Sequence, residues 1–347
     1  MRRVAPPTAC IARAAIACKL NSMKDVSTAR DAMVLVRDRI EPWWGEAAFA
    51  RVLEMAARVP RSVSSHFGVE AHLQDPHGLD FGFSLTHPTL IASPEIAEAL
   101  EVDPAALGEI ASMITAQRPG LRSPVRDAWV ELDTSRGRAL AGLGGRLDDE
   151  DQTDPTAVVA FLEAIGGPLD EAPRTAIARL LDPRHGVRVS QVGTFVGRDG
   201  APARLIVTAP DPAELDRALL GAGWDPGALA EVRSLGGDAI GFSAVAVDVL
   251  PGVGPTPRVG VEIYSPADRI AEIAERIVSL AGADAEHTAA ALAFTGAFGI
   301  DALAVARTRL HHFKVDVAPH GISTPKAYLS LRIVLAPRAF VQGLESA

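Results

Sequence analysis

The stretch His311–Leu335, with the sequence HHFKVDVAPHGISTPKAYLSLRIVL, is typical of a long β-hairpin. Pro319–Ser323 has the Pro/Gly/Ser chemistry of a turn. Apolar and polar residues alternate on both sides of that turn, so each arm has one apolar face and one polar face. The polar face carries His312, Lys314 and Asp316 in the first arm, and Lys326, Tyr328, Ser330 and Arg332 in the second. A sheet face exposed to solvent would show the same basic pattern. A repeat along the chain favours a different position for this face.

The order helix, helix, strand, strand recurs five times, at a spacing of roughly fifty to sixty-five residues. The first unit begins with a predicted helix over Ser27–Ile40 that Pro42 closes. Asp-Pro pairs at 103–104, 154–155, 211–212 and 225–226 predict the starts of further helices. The strands predicted before the hairpin are His66–Leu73, Leu79–Leu85, Ala128–Asp133, Arg138–Leu147, Val187–Val196, Ala203–Thr208, Ile240–Leu250 and Arg258–Ser265.

Ten antiparallel strands with one apolar face each must bury that face against the helices. Closing the sheet removes its edges and encloses the polar faces in a lumen. The sequence therefore predicts an α+β protein with a closed ten-stranded antiparallel β-barrel surrounded by helices. An open arrangement, in which two α+β domains expose their sheets to water, remains as the alternative.

Composition limits the classes of function. The chain has 347 residues, 48% hydrophobic and 22% charged, with a net charge of −9 that argues against nucleic acid or an anionic membrane as the main partner. Cys10 and Cys18 are the two cysteines, which supports neither a disulfide framework nor a zinc site. We expect a cytoplasmic protein with a flexible N-terminus over 1–26 and a single domain over 27–347. The oligomeric state is not indicated.

The five-fold repeat resembles the aromatic prenyltransferases of the αββα, or PT-barrel, type. Lys326-Ala327-Tyr328 is similar to the Lys-x-Tyr pattern on that family's strands, and Trp129-Val130-Glu131 resembles an early strand that carries an acidic residue. The resemblance implies a ten-stranded barrel wrapped by helices, with the reaction inside it. It also implies transfer of a prenyl group from an allylic diphosphate to an aromatic ring of a small metabolite or peptide, in natural product biosynthesis.

The same resemblance implies roles for particular residues. Glu131 would be the catalytic base that removes the proton from the acceptor ring. Lysines and arginines would hold the diphosphate, and aromatic rings would shield the allylic cation. The substrate-binding residues implied are Arg188, Arg204, Arg258, Lys314, Lys326, Arg332, Tyr264, Tyr328 and Trp129, with Phe242 in support. No metal ligand set is predicted, and Mg²⁺ is compatible as a cofactor.

Two features depart from the family's pattern. The chain has only two tyrosines, and the polar faces also carry Glu70, Asp133, Asp248, Glu262 and Asp316, which would neutralise the basic residues in pairs. A barrel that cyclises or isomerises a natural product or peptide without a prenyl donor is therefore a second hypothesis. A non-catalytic ligand-binding barrel is a third. The neighbours His311 and His312 are expected on opposite faces of their strand, where they could not share one ion.

Overall fold

A computed structural model describes residues 28–60, 63–85, 94–101, 104–114, 125, 127–133, 140–195, 200–224, 244–264, 268–301, 304–318 and 321–335. The predicted flexible segment 1–26, both cysteines, Phe242 and the predicted helix start at Asp225 lie outside these residues. The division of the chain into 1–26 and a single domain over 27–347 stays a prediction.

Ten antiparallel strands form a closed barrel. Each strand of β1 to β8 pairs with the next, β8 pairs with β10, β10 pairs with β11, and β11 returns to β1. The predicted closed barrel is confirmed, and the open two-domain alternative is wrong. The strands are β1 (His66–His72), β2 (Leu79–Leu85), β3 (Asp127–Asp133), β4 (Leu140–Arg146), β5 (Arg188–Phe195), β6 (Ala203–Thr208), β7 (Ala244–Leu250), β8 (Gly254–Ile263), β9 (Gly296–Asp301), β10 (Ala304–Ala318) and β11 (Gly321–Leu335).

The helices pack against the outer, apolar face of the barrel. Three aspartates accept hydrogen bonds from the first backbone N–H groups of their helices, namely Asp154, Asp211 and Asp284, as N-caps do. The described helices are α1 (Ala29–Val34), α2 (Arg37–Trp44), α3 (Glu46–Ala57), α4 (Pro94–Leu100), α5 (Pro104–Ile114), α6 (Pro155–Gly166), α7 (Glu171–Leu180), α8 (Pro212–Ala222), α9 (Ile270–Ala281) and α10 (Ala285–Ala293). None of them combines the length and hydrophobicity that a membrane crossing requires.

Two parts of the predicted helix and strand order are wrong. The predicted helix Ser27–Ile40 is instead two helices, because α1 ends at Val34 and α2 begins at Arg37. Pro42 does not close it: α2 continues through Pro42 until Gly45, with a φ of +81°, ends it. A strand that was not predicted, β9, pairs with Ala304–Thr308 of β10 beside the barrel. Strand β10 is therefore twice the predicted length, and its two halves pair with different strands on the same edge.

Alternation along the barrel strands separates a core from a lumen. On β3, Ala128, Val130 and Leu132 are buried in the core that the barrel shares with the helices. Trp129 and Glu131 face the opposite way, into the lumen. Register places Trp129 beside Gly144 of β4, in the Gly-rich arm that was the least regular of the predicted strands. The lumen is thus lined by the polar faces, as the sequence predicted.

Candidate active site

A cavity of about 370 Å³ lies inside the barrel. Strands β1 to β6, β8, β10 and β11 contribute to its wall, so the cavity depends on barrel closure. Six of the residues predicted to act in the site line this cavity: Trp129, Glu131, Arg204, Tyr264, Lys314 and Tyr328.

Four other predicted residues do not line the cavity. Lys326 and Arg258 instead pair with carboxylates of the barrel interior. Arg188, at the start of β5, and Arg332, near the end of β11, are exposed to solvent. The structure therefore brings part of the predicted set together and leaves the two exposed arginines outside it.

Glu131 belongs to a buried carboxyl pair. Burial and the neighbouring Glu70 anion raise the pKa of Glu131 to about 8, so its carboxyl carries a proton at neutral pH and hydrogen-bonds to Glu70. Burial opposes ionisation of Glu70, but the Lys326 ammonium and the hydrogen bond from Glu131 hold the pKa of Glu70 well below its usual range. The two carboxyls thus hold one proton and one negative charge, which Lys326 balances.

Two further ion pairs follow the same pattern. Arg204 donates two hydrogen bonds to Asp248, of 2.8 and 3.0 Å, in a bidentate arrangement. Arg258 pairs with Asp316. We call these two pairs, together with Lys326–Glu70, the ionic region. The neutralisation of basic residues by lumen carboxylates, expected from the sequence, occurs at these three pairs.

Two cations at the cavity wall have no ion-pair partner among the residues that the structure describes. Among the described residues, neither Lys314 of β10 nor Arg146 of β4 lies within ion-pair distance of a carboxylate. Burial, followed by the nearby Arg204 charge, lowers the pKa of Lys314. An anion that entered the cavity would meet these two side chains as unpaired positive groups.

A β-bulge places His311 and His312 on the same side of β10. Leu310 pairs with Leu329 and His312 pairs with Tyr328, so His311 is the extra residue of the bulge. Both imidazoles line the cavity, and their Nδ1 atoms lie 2.8 Å apart. The prediction that the two histidines face opposite sides is wrong, because strict alternation holds only for an uninterrupted strand.

Tyr264, His311, His312 and Tyr328 form what we call the aromatic cluster. The His312 ring stacks on Tyr328 with a centroid distance of 4.2 Å and an interplanar angle of 16°. Tyr264 lies 4.7 Å from His312 and meets His311 edge-on at 5.5 Å. The Tyr264 hydroxyl donates a 2.7 Å hydrogen bond to Glu262, and the Tyr328 hydroxyl is hydrogen-bonded to Glu70. Tyr328 therefore belongs to this cluster through its ring and contacts the ionic region through its hydroxyl.

Glycines of β4 make room for the indole of Trp129. A Cβ atom added to Gly144 would lie 2.5 Å from the Trp129 ring and 2.8 Å from the carbonyl oxygen of Val192. A Cβ atom added to Gly142 would lie 3.3 Å from Phe195, which also lines the cavity. The Gly-rich arm thus allows aromatic side chains to lie flat against this part of the wall.

One group of side chains has the spacing of metal ligands. Ligand atoms of Glu70, His72 and Asp80 all lie within 4.8 Å of one another. The His72 Nε2 atom is 3.2 Å from Asp80, and Glu70 already pairs with Lys326. One imidazole nitrogen with two carboxylates suits a transition metal better than Mg²⁺, which prefers oxygen ligands. These three residues therefore do not suit the Mg²⁺ ion that the sequence analysis names as a compatible cofactor.

Sequence reasoning missed several residues of the cavity wall. Arg146 ends the Gly-rich arm, and neither Arg146, His66 nor Gln191 was predicted to have a role at the site. The alternation that placed Glu131 in the lumen also marks His66 and Arg146, so the signal for these two was present. Gln191 lines the cavity because of a register shift between Val189 and Gln191, which alternation does not predict. The juxtaposition of His311 with His312 had no such signal, since a bulge adds one residue without a characteristic sequence.

Comparison with known proteins supports the fold. No protein-family model matches the chain, and neither does any curated protein sequence. Among solved structures, the crystal structure of AnaPT from Neosartorya fischeri, an aromatic prenyltransferase, superposes with a TM-score of 0.56 at 12% sequence identity. The match covers 89% of this chain and 92% of AnaPT. The protein has the PT-barrel fold of the aromatic prenyltransferases, as its repeat order predicted.

Proposed function

We propose that this protein transfers a prenyl group from an allylic diphosphate to an aromatic ring of a small metabolite or peptide. The donor is dimethylallyl diphosphate or a longer homologue, the reaction takes place in the lumen, and the pathway is one of natural product biosynthesis. The observation that carries the proposal is the cavity of about 370 Å³, where aromatic rings, a carboxyl pair and unpaired cations meet inside this fold.

The diphosphate binds to the positive side chains of the cavity wall. Lys314 and Arg146 are available for this role because neither is held by a carboxylate among the described residues. Arg204 also lines the cavity, although Asp248 shares its charge. These cations favour departure of diphosphate, because they stabilise the negative charge that develops as the carbon–oxygen bond breaks. Lys326 and Arg258 do not contact the diphosphate and contribute only by balancing the carboxylates of the ionic region.

The allylic cation that remains is shielded by the aromatic surfaces of Tyr328, Tyr264 and Trp129. The Glu131–Glu70 pair, with its single negative charge, stabilises the positive charge that moves onto the acceptor ring. Glu131 becomes the base that removes the ring proton once it has lost its own proton, at a pH above its pKa of about 8.

The test of donor binding is a thermal-shift titration with dimethylallyl, geranyl and farnesyl thiolodiphosphates, which resist cleavage. A ligand that binds only the folded state at 100 times its Kd stabilises that state by about 2.7 kcal/mol, so the melting temperature should rise. Lys314→Met should remove most of the rise. The matched control is Arg188→Met, which replaces an exposed arginine outside the cavity and should leave the rise intact.

Turnover is then tested with the best donor and a set of indoles, phenols and aromatic peptides, with mass spectrometry to detect a prenylated product. Glu131→Gln should lower product formation most strongly above pH 8, where wild-type Glu131 is ionised and acts as the base, and should leave the thermal shift in place. A wild-type protein that shows no shift with any of the three donor analogues would contradict the proposal.

A second candidate function is favoured by the ionic region. Three of the cations that the resemblance assigns to the diphosphate, namely Arg204, Arg258 and Lys326, are already paired with carboxylates. A barrel that cyclises or isomerises a natural product or peptide needs no diphosphate clamp and suits such a balanced interior. This second function predicts that the protein does not bind allylic diphosphates and that Glu131→Gln slows the cyclisation or isomerisation. A non-catalytic ligand-binding barrel predicts instead that no reaction is detected in the wild type.

A further inference from the structure

Three basic side chains gather at one end of the barrel. Arg332 of β11 pairs directly with His66, the first residue of β1, and Arg309 of β10 pairs with Ser330, two positions from Arg332. Residues that lie opposite each other in a ladder share a face, so both arginines lie on the lumen side of the sheet, as His66 and Ser330 do. We call His66, Arg309 and Arg332 the rim cluster.

The cavity meets solvent at this same end. Among the wall residues that the structure describes, the exposed ones are Asp127, Arg146 and His311. Asp127 begins β3 and Arg146 ends β4, at the end of the barrel where β1 begins. His311 lies two positions from Arg309. The rim cluster therefore borders the opening through which a substrate reaches the lumen.

The arginines of the rim cluster have no carboxylate to balance them. Both are exposed, and neither guanidinium is in an ion pair among the described residues. Several exposed arginines elsewhere are paired with carboxylates, as in Arg174–Glu163, Arg184–Asp182 and Arg217–Glu214. The rim thus carries uncompensated positive charge in a chain whose net charge is −9.

The basic groups at the rim repel one another. Like charges that face each other across a ladder destabilise a sheet. Burial, followed by the Arg332 charge, lowers the pKa of His66, and Asp127 opposes them. Burial, followed by Arg309 and then His66, lowers the pKa of His311. This repulsion is relieved when an anion lies between the two guanidinium groups.

We propose that the rim cluster binds a carboxylate of the aromatic acceptor, so that the acceptor enters the barrel with its ring first. This inference rests on the proposed prenyl transfer and names the class of acceptor. The class is an aromatic amino acid, or a short peptide with a free carboxylate near its aromatic residue. Guanidinium groups suit a carboxylate, because each offers N–H donors in a planar fork that matches the two oxygens.

The spacing along the strands fits such an acceptor. Lys314, which binds the donor diphosphate, is 3% exposed and lies five positions beyond Arg309 on β10, roughly 15 Å deeper. Glu70, the partner of Glu131, follows His66 by four residues on β1, which is about 13 Å. An aromatic side chain, one further residue of about 3.5 Å and the reach of an arginine together cover that distance.

The first experiment measures binding without a donor. Calorimetric titration at low ionic strength compares acetyl-Trp-Gly and acetyl-Tyr-Gly with their C-terminal amides, which differ from the acids only in the charged group. The wild type should bind at least one acid about tenfold more tightly than its amide, the effect of a single charge-assisted hydrogen bond. Arg309→Gln/Arg332→Gln should bring acid and amide to equal affinity. A wild type that prefers neither acid overturns the proposal.

The matched control removes the same number of positive charges from the outside of the barrel. Arg269→Gln/Arg276→Gln replaces two arginines of the α9 region that both pair with Glu272, and it should keep the preference for the acid. A preference that survives in the rim variant overturns the proposal. So does a preference that this control also loses, since a general attraction of charge would then explain it.

The stability of the empty protein distinguishes a binding role from a structural one. Because like charges are removed, Arg309→Gln/Arg332→Gln should melt at the wild-type temperature or above it. Arginines that supported the barrel would instead lower the melting temperature when replaced. That result would give the lost binding a structural cause and overturn the proposal.

Turnover separates this inference from the proposed function. The rim variant should raise KM for the acid with little change in kcat, as loss of ground-state binding does, and should keep the thermal shift with the donor analogue. A wild type that prenylates acid and amide equally well disproves the carboxylate site and leaves prenyl transfer standing. A wild type that binds the acid through the rim cluster but shows no shift with any donor analogue disproves prenyl transfer and leaves the carboxylate site standing.

Discussion

The ionic region and the aromatic cluster share strands β10 and β11 but satisfy their polar groups differently. In the ionic region, each guanidinium or ammonium meets a carboxylate, so its charges are balanced before any ligand arrives. In the aromatic cluster, Nε2 of His312 is buried and has no hydrogen-bond partner in the part of the chain that the structure describes. Along β10 the two regions are only four residues apart, from His312 to Asp316. The difference shows that one region is electrostatically balanced within the barrel, whereas the other keeps a buried nitrogen unsatisfied.

The largest effect is expected when the ionic region loses one member of a pair. Glu70→Gln leaves the Lys326 ammonium, 17% exposed, without its carboxylate inside the barrel. Removal of one partner of a buried ion pair typically costs about 3–5 kcal/mol of stability. Urea unfolding should show this loss, and the double variant Glu70→Gln/Lys326→Met should recover most of it. A loss below about 1 kcal/mol would mean that this pair does not stabilise the barrel.

A somewhat smaller effect, and one that depends on pH, is expected at Glu131. Its pKa is raised in the folded state, so ionisation is easier in the unfolded chain and folding loses stability as pH rises. The wild type should lose stability relative to Glu131→Gln between pH 4.5 and about 8, and the difference should be constant above pH 8. In the Glu70→Gln background the change should be smaller, since the neighbouring anion is gone. A difference that does not vary with pH would contradict the shared proton.

The smallest effect is expected at Tyr328, where the two regions meet. Tyr328→Phe removes the hydroxyl that is hydrogen-bonded to Glu70 and keeps the ring that stacks on His312. Loss of one such hydrogen bond should lower stability by about 1 kcal/mol, measured by urea unfolding. Tyr328→Leu is the comparison, because it also removes the stacked ring and should cost more. Equal losses in the two variants would show that the stacking on His312 adds nothing.

The sequence predicted the barrel because its signals are periodic. Alternation on β1, β2, β3 and β11 marks which side chains face the lumen, and the Asp-Pro pairs mark helix starts. Periodicity assigns a side chain to a face but does not specify its partner across the barrel. The contacts of Glu70 with Lys326, Glu131 and Tyr328 join positions on three strands. The pKa of Glu131 depends on these contacts across strands, which periodicity does not specify.

Single-residue irregularities limited the rest. The bulge at His311 turns the His311 side chain to the same face as His312, and no residue of the hairpin predicts a bulge there. Pro42 predicts a helix end, yet α2 continues through Pro42, and Gly45 ends the helix instead. Strand β9 follows a helix directly and was not separated from it by a turn signal. In each case a local rule with a strong average preference was overridden by tertiary packing.

The pairing of β1 with β11 has a consequence for synthesis. It brings Glu70 beside Lys326, although these two residues lie 256 positions apart in the chain. While the polypeptide leaves the ribosome, the edge of β1 stays without its neighbour until nearly all of the described strands have emerged. An unpaired edge of that kind is where nascent molecules associate with one another. Stalled or prematurely terminated translation products should therefore depend on chaperones to avoid aggregation. In the folded protein, β11 pairs with β1 and covers this edge.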